Sequence, residues 1–120
     1  MRKIILICTQ HGENGICTSL ELCKIFERVK PEIIFEEIPP SLFDQYYNDK
    51  SRSNLESDAI NMYLEKTRIE HIPVDVYDIS ENFFEENKYL HKRVEASSRD
   101  YRHLIDSNFQ YVRDYGFRYL

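Results

Sequence analysis

Ile4-Ile5-Leu6-Ile7-Cys8-Thr9-Gln10-His11-Gly12-Glu13 is the stretch on which the fold reading turns. Four consecutive apolar residues, three of them isoleucines branched at Cβ, read as a strand buried on both faces, the kind found in parallel sheets. The character then changes within a few residues. Thr9 to Asn14 are polar, and Gly12 and Gly15 permit sharp turns. In an open α/β sheet, ligands sit just beyond the carboxyl ends of the strands. This first strand therefore delivers an imidazole, His11, and a carboxylate, Glu13, to that edge.

Working outward, Thr18 or Ser19 is placed to cap a helix whose apolar stripe includes Leu20, Leu22, Cys23, Ile25, Phe26 and Val29. Pro31 ends it, because the residue before a proline avoids the helical region. Ile33, Ile34 and Phe35 read as a second buried strand, ending at Glu36, Glu37, Ile38, Pro39 and Pro40. Two strands around one helix make a βαβ unit, whose right-handed crossover requires parallel strands. Residues 41–53 form a polar, tyrosine-bearing connection long enough to be a lid or to carry a short helix. Ser53 or Asn54 caps the next helix, with Leu55, Ala59, Ile60, Met62, Tyr63 and Leu64 on its buried face. Ile72, Val74 and Val76 mark a third strand, with Pro73 expected near its start, where a missing ladder donor is tolerated.

The resulting expectation is an α/β fold: a βαβαβ three-stranded parallel sheet flanked by helices, with strands at about 3–9, 32–37 and 72–78 and the first strand central. A long or broken helical segment follows from Ser80, with its break near Ala96-Ser97-Ser98 and its end at Gly116. Phe83, Leu90, Val94, Tyr101 and Ile105 are expected to bury a stripe there, which Asn87, Ser97 and Asn108 interrupt.

Composition narrows the class. The 120 residues suit a single α/β domain over 1–120, with 42% hydrophobic and 31% charged residues, a globular balance. A net charge of −5, with basic residues scattered among acids, argues against nucleic acid and anionic membranes as partners. No apolar run approaches the roughly 18 residues of a membrane span. Met1-Arg2-Lys3 and the apolar residues behind it imitate a signal peptide, but the apolar part is too short, and a cytoplasmic location is expected. Cys8, Cys17 and Cys23 are odd in number and lack C-x-x-C spacing, so they read as reduced thiols, with Cys8 ending a strand in the core.

The expected carboxyl edge gathers His11 and Glu13, then Glu36 and Glu37, then Tyr77 and Asp78. Imidazole and carboxylates at one sheet edge suit a divalent metal ion or acid–base chemistry. His11, Glu36 and Asp78 are the candidate metal ligands. His11, Glu13, Glu36, Glu37 and Arg99 are the candidate catalytic residues. His71 is placed at the far end of its strand and left outside this group, and His91 and His103 read as surface residues. There is no P-loop, G-x-G-x-x-G or H-E-x-x-H.

The order of these pieces resembles the TraB/GumN, ChaN and erythromycin-esterase group of domains. The residues that carry the resemblance are Cys8-Thr9-Gln10-His11-Gly12, the Lys30-Pro31 to Glu36-Glu37 strand, a helix opening near Glu56, a strand ending at Asp78, and the Arg99-Asp100 pair. The resemblance spans about residues 4–105, is partial, and lacks the group's usual second half. It implies a metal-assisted hydrolase in which His11 and Glu36 or Glu37 hold a metal or activate water, Glu13 assists and Arg99 steadies an anionic intermediate. A small-molecule or peptide ligand would be its partner. The alternative is a noncatalytic α/β binding or interaction domain that forms a homodimer through its C-terminal helix, covering the edges that so small a sheet leaves open.

Overall fold

The computed structural model describes residues 3–76 and 79–117. Thr18 caps the first helix, α1 (Ser19–Val29), its side chain accepting from the Glu21 amide at 3.2 Å. Lys30 takes a left-handed conformation, φ 50°, and its N–H closes onto the Phe26 carbonyl, after which Pro31 forbids continuation. Strand β1 (Ile33–Glu36) leads through a 3₁₀ turn (Pro40–Leu42) into the short helix α2 (Phe43–Tyr47). The polar connection therefore carries the short helix that its length suggested. Asn54 caps α3 (Leu55–Leu64) in a reciprocal box with Ser57. Strand β2 (Glu70–Pro73) precedes two long helices, α4 (Glu81–Ser97) and α5 (Arg99–Tyr115), separated at Ser98, where the break was expected.

The core is the packing of α1 on α3. Leu22, Cys23, Ile25 and Phe26 meet Leu55, Ala59, Ile60 and Tyr63, all at most 7% exposed. The Phe26 and Tyr63 rings meet edge to face at 5.8 Å, the geometry their quadrupoles favour. Burial drives the thiols of Cys17 and Cys23 above the ordinary value, aided by the charge of Glu21 beside the former and Glu27 beside the latter. Both therefore behave as small apolar residues.

The sheet is parallel but has two strands among the described residues, in the register Ile33↔Glu70 to Glu36↔Pro73. Because β1 pairs directly with β2, residues 3–9 do not lie between them, and the expected central first strand is not found. Residues 3–10 carry no strand apart from a single bridge position at Ile7. Ile4 is 92% and Leu6 61% exposed, while Ile7 packs against the core. An apolar run expresses a demand for burial; a strand also needs a neighbour for its backbone groups. Cys8 is accordingly exposed instead of closing a core strand.

Two further positions differ from expectation. Pro73 ends β2 instead of opening it. In this register the Val74 amide donates to the Glu36 carbonyl at 2.9 Å, so alternation turns the donor that Pro73 lacks away from β1. Residues 77 and 78, the expected end of that strand, lie outside the described residues.

The C-terminal region is helical as expected, but its stripe is not buried. Phe83, Leu90, Val94 and Ile105 stay between 37% and 57% exposed. Helix α5 attaches to the body near its end, where the Arg113 carbonyl accepts from the Ile16 amide at 3.1 Å and the Val112 carbonyl from the Cys17 thiol at 3.3 Å. Gly15, at φ +57°, sits against this backbone, and a Cβ there would overlap the Arg113 carbonyl. With both helices standing off the core, the Cα radius of gyration is 16.4 Å, against about 14 Å for a compact chain of this length. Ile60, 2% exposed at the centre of the helix pair, supplies a check on the core. Ile60→Ala is expected to lower the unfolding free energy by about 2–5 kcal/mol, read as a shifted midpoint in urea with an unchanged slope.

Candidate functional site

Glu36, the last residue of β1, is the buried charged residue among the described residues, at 5% exposure. The parallel register sets Ile34 beside His71 and Glu36 beside Pro73. Residues two apart share a face, so Glu36 and His71 lie diagonally on the same side of the two-strand ladder. Helix α2 brings Tyr47 over the same point. One carboxylate oxygen of Glu36 accepts from the Tyr47 hydroxyl and the other is bonded to Nδ1 of His71. A carboxylate only accepts, so Nδ1 carries the proton and Nε2 is left as the remaining ring nitrogen. Phe43 stacks on the His71 ring at 5.1 Å, and Tyr47 meets it edge-on at 4.4 Å.

A buried carboxylate is costly unless its oxygens are satisfied, and these two bonds supply that compensation. Burial, the bond to Glu36, and the charges of Glu36 and Glu56 drive the Tyr47 phenol far above its ordinary value. Tyr47 is therefore a fixed neutral donor. The group joins β1, β2 and α2 at one carboxylate.

His11 belongs to a second network. Its backbone N–H and its Nδ1 lie 3.1 and 3.2 Å from Oε1 of Glu56, and its carbonyl accepts from the Leu55 amide at 3.0 Å. These contacts hold His11 at the start of α3 with a left-handed backbone, φ 47°. Burial pushes the Glu56 carboxyl up, but hydrogen bonds from Thr9, its own backbone and His11 outweigh it and hold Glu56 below the usual glutamate value. Glu13 serves the end of α1, its Oε1 accepting from the Ser19 amide at 3.0 Å and hydroxyl at 3.1 Å.

His11 is thus paired with Glu56, and Glu36 with Tyr47 and His71. Glu37 is exposed beside Glu36, Arg99 is exposed as the first residue of α5, and Asp78 lies outside the described residues. Among the described residues, no three histidine, cysteine, aspartate or glutamate side chains form a group able to hold a metal ion. An open cavity of about 390 Å³ lies between the 8–17 segment and α5, lined by Thr9, Gln10, Asn14, Cys17, Asn108 and Val112 among others. Neither His11 nor Glu36 lines it.

Sequence reasoning missed His71, the bond of Tyr47 to Glu36 and the His11–Glu56 pairing. A strand running to Asp78 places His71 at its far end; with β2 at residues 70–73 it lies inside the ladder, diagonal to Glu36. The alternation Ile34, Glu36 on one strand and His71, Pro73 on the other was readable, but only once the register was known. No helix among the described residues is long and apolar enough to cross a membrane. No protein-family model, curated protein or solved structure matches the chain.

Two outcomes test this description. Tyr47→Phe leaves a buried carboxylate oxygen without its donor, and should cost about 1–3 kcal/mol of stability in thermal or urea melts. Glu56 is depressed in the folded state, so its contribution is present above its ordinary value of 4.5 and is lost as pH falls through the lower folded value. Glu56→Gln should therefore reduce stability at neutral pH and flatten the decline below about pH 4.5, measured as urea midpoints against pH.

Proposed function

We propose that this chain is an interaction domain that self-associates through its C-terminal helices, α4 and α5. The observation that carries the reading is α4. None of its described residues is buried, yet it keeps Phe83, Phe84, Leu90 and Val94 between 37% and 63% exposed. A helix in water draws most of its stability from packing an apolar face, and the described residues of this chain bury none of the described side chains of α4. Helix α5 repeats the pattern after the break: Leu104 is 68%, Ile105 39% and Phe109 48% exposed, on a helix that also carries Arg99, Asp100, Arg102, Asp106, Arg113 and Asp114. A face of this kind on a chain of net charge −5 favours a macromolecular partner over bulk water.

The metal-assisted hydrolase reading ranks second. Its residues His11, Glu13 and Glu36 are bonded to Glu56, Ser19 and the Tyr47–His71 pair respectively, contacts that hold helix ends and strands.

Sedimentation velocity over a concentration series tests the reading. The full chain is expected to sediment as a dimer that dissociates on dilution. Leu90→Glu and Leu104→Glu should each shift the equilibrium to monomer while the far-ultraviolet circular dichroism of the body persists. A wild-type chain that remains monomeric at every concentration would overturn self-association.

A further inference from the structure

We infer that α4 pairs antiparallel with α4 of a second copy, Glu86 of each chain lying against Arg93 of the other; this rests on the self-association proposed above. Phe83, Asn87, Leu90, Val94 and Ser97 recur at steps of four, three, four and three residues, the seam of a two-helix coiled coil. The seam is symmetric on reversal. Turned about a point between Lys88 and Tyr89, it lays Phe83 on Val94 and Asn87 on Leu90, so a two-fold axis there joins the same patch on both chains. A parallel pair makes no use of this symmetry.

Charge selects the same direction. The first half of α4 carries Glu81, Glu85 and Glu86 with Lys88, and the second half Lys92 and Arg93 with Glu95, so the first half is net acidic and the second net basic. Antiparallel pairing sets acidic halves on basic halves; parallel pairing sets like on like. Glu86 and Arg93 each stand immediately before a seam residue, Asn87 and Val94, on the same flank. Residues in that flanking position face one another across an antiparallel pair, which creates the Glu86–Arg93 contact twice. In a parallel pair Glu86 would lie near His91 and Arg93 near Ser98. Both Glu86 and Arg93 are exposed, and the Arg93 guanidinium lies 5.8 Å from the Tyr89 ring centroid, one turn back, which holds it along the helix.

The experiment is a charge exchange on the full chain, read by sedimentation equilibrium. Glu86→Arg and Arg93→Glu, each alone, place like charges against one another twice per dimer, and each should weaken self-association roughly tenfold or more. An equimolar mixture of the two variants restores both contacts, as does the double variant Glu86→Arg/Arg93→Glu, and both should recover the wild-type association. Because both positions are exposed and lie outside the α1–α3 core, the urea midpoint of the body in the single variants should match the wild type. If the wild type associates but the single variants associate equally well, or the mixture shows no recovery, the antiparallel arrangement is overturned and self-association stands. A monomeric wild type overturns both.

Discussion

The carboxylate of Glu36 is the point at which three separately formed elements are made to agree. Strand β1 carries it, β2 meets it through His71, and α2 covers it through Tyr47. A carboxylate taken out of water demands donors, and donors from two other elements can reach it only if the parallel register and the position of α2 are both correct. In a two-stranded sheet, which by itself is marginal in water, this polar joint and the aromatic cover of Phe43 supply the specificity that additional strands supply in larger sheets.

The apolar core performs a different task. The α1–α3 packing buries Leu22, Phe26, Ile60 and Tyr63 against one another and would tolerate some sliding, since dispersion and the hydrophobic effect are weakly directional. Capping by Thr18 and by the Asn54–Ser57 box sets where each helix begins. The His11–Glu56 contact and the Glu13–Ser19 bonds then tie the 10–19 segment to both helix starts. His11, Glu13 and Glu36, which sequence alone offers as chemistry, are in the folded chain bonded to neighbouring elements. An imidazole and carboxylates near helix N-termini have this second use because those ends present unsatisfied amides.

The outward face of the molecule has the opposite character. Helices α4 and α5 meet the body mainly through the last turn of α5 on residues 14–17, where Gly15 allows the close approach. Phe83, Phe84, Leu90, Leu104 and Phe109 on these helices are exposed. Helix α4 is charged as well as apolar, and in the pairing proposed above its charges would set direction more than strength.

Helix caps, helix breaks and strand composition were determined by the sequence alone. Thr18, Pro31, Asn54, Ser98 and Gly116 act through backbone chemistry within a few residues, so local spacing reveals them. The α/β character and the parallel direction of residues 33–36 with 70–73 follow from the same local patterns and the handedness of the crossover. Three things were decided only by the tertiary structure: that Ile4-Ile5-Leu6-Ile7 is not a strand between β1 and β2, that Glu36 pairs with His71 and Tyr47 and not with His11, and that the Phe83–Ile105 stripe lies outside the core. Each depends on register or on what stands opposite a face. A one-residue slip moves a side chain to the other side of a sheet, and an amphipathic helix has the same pattern whether its partner is its own chain or another.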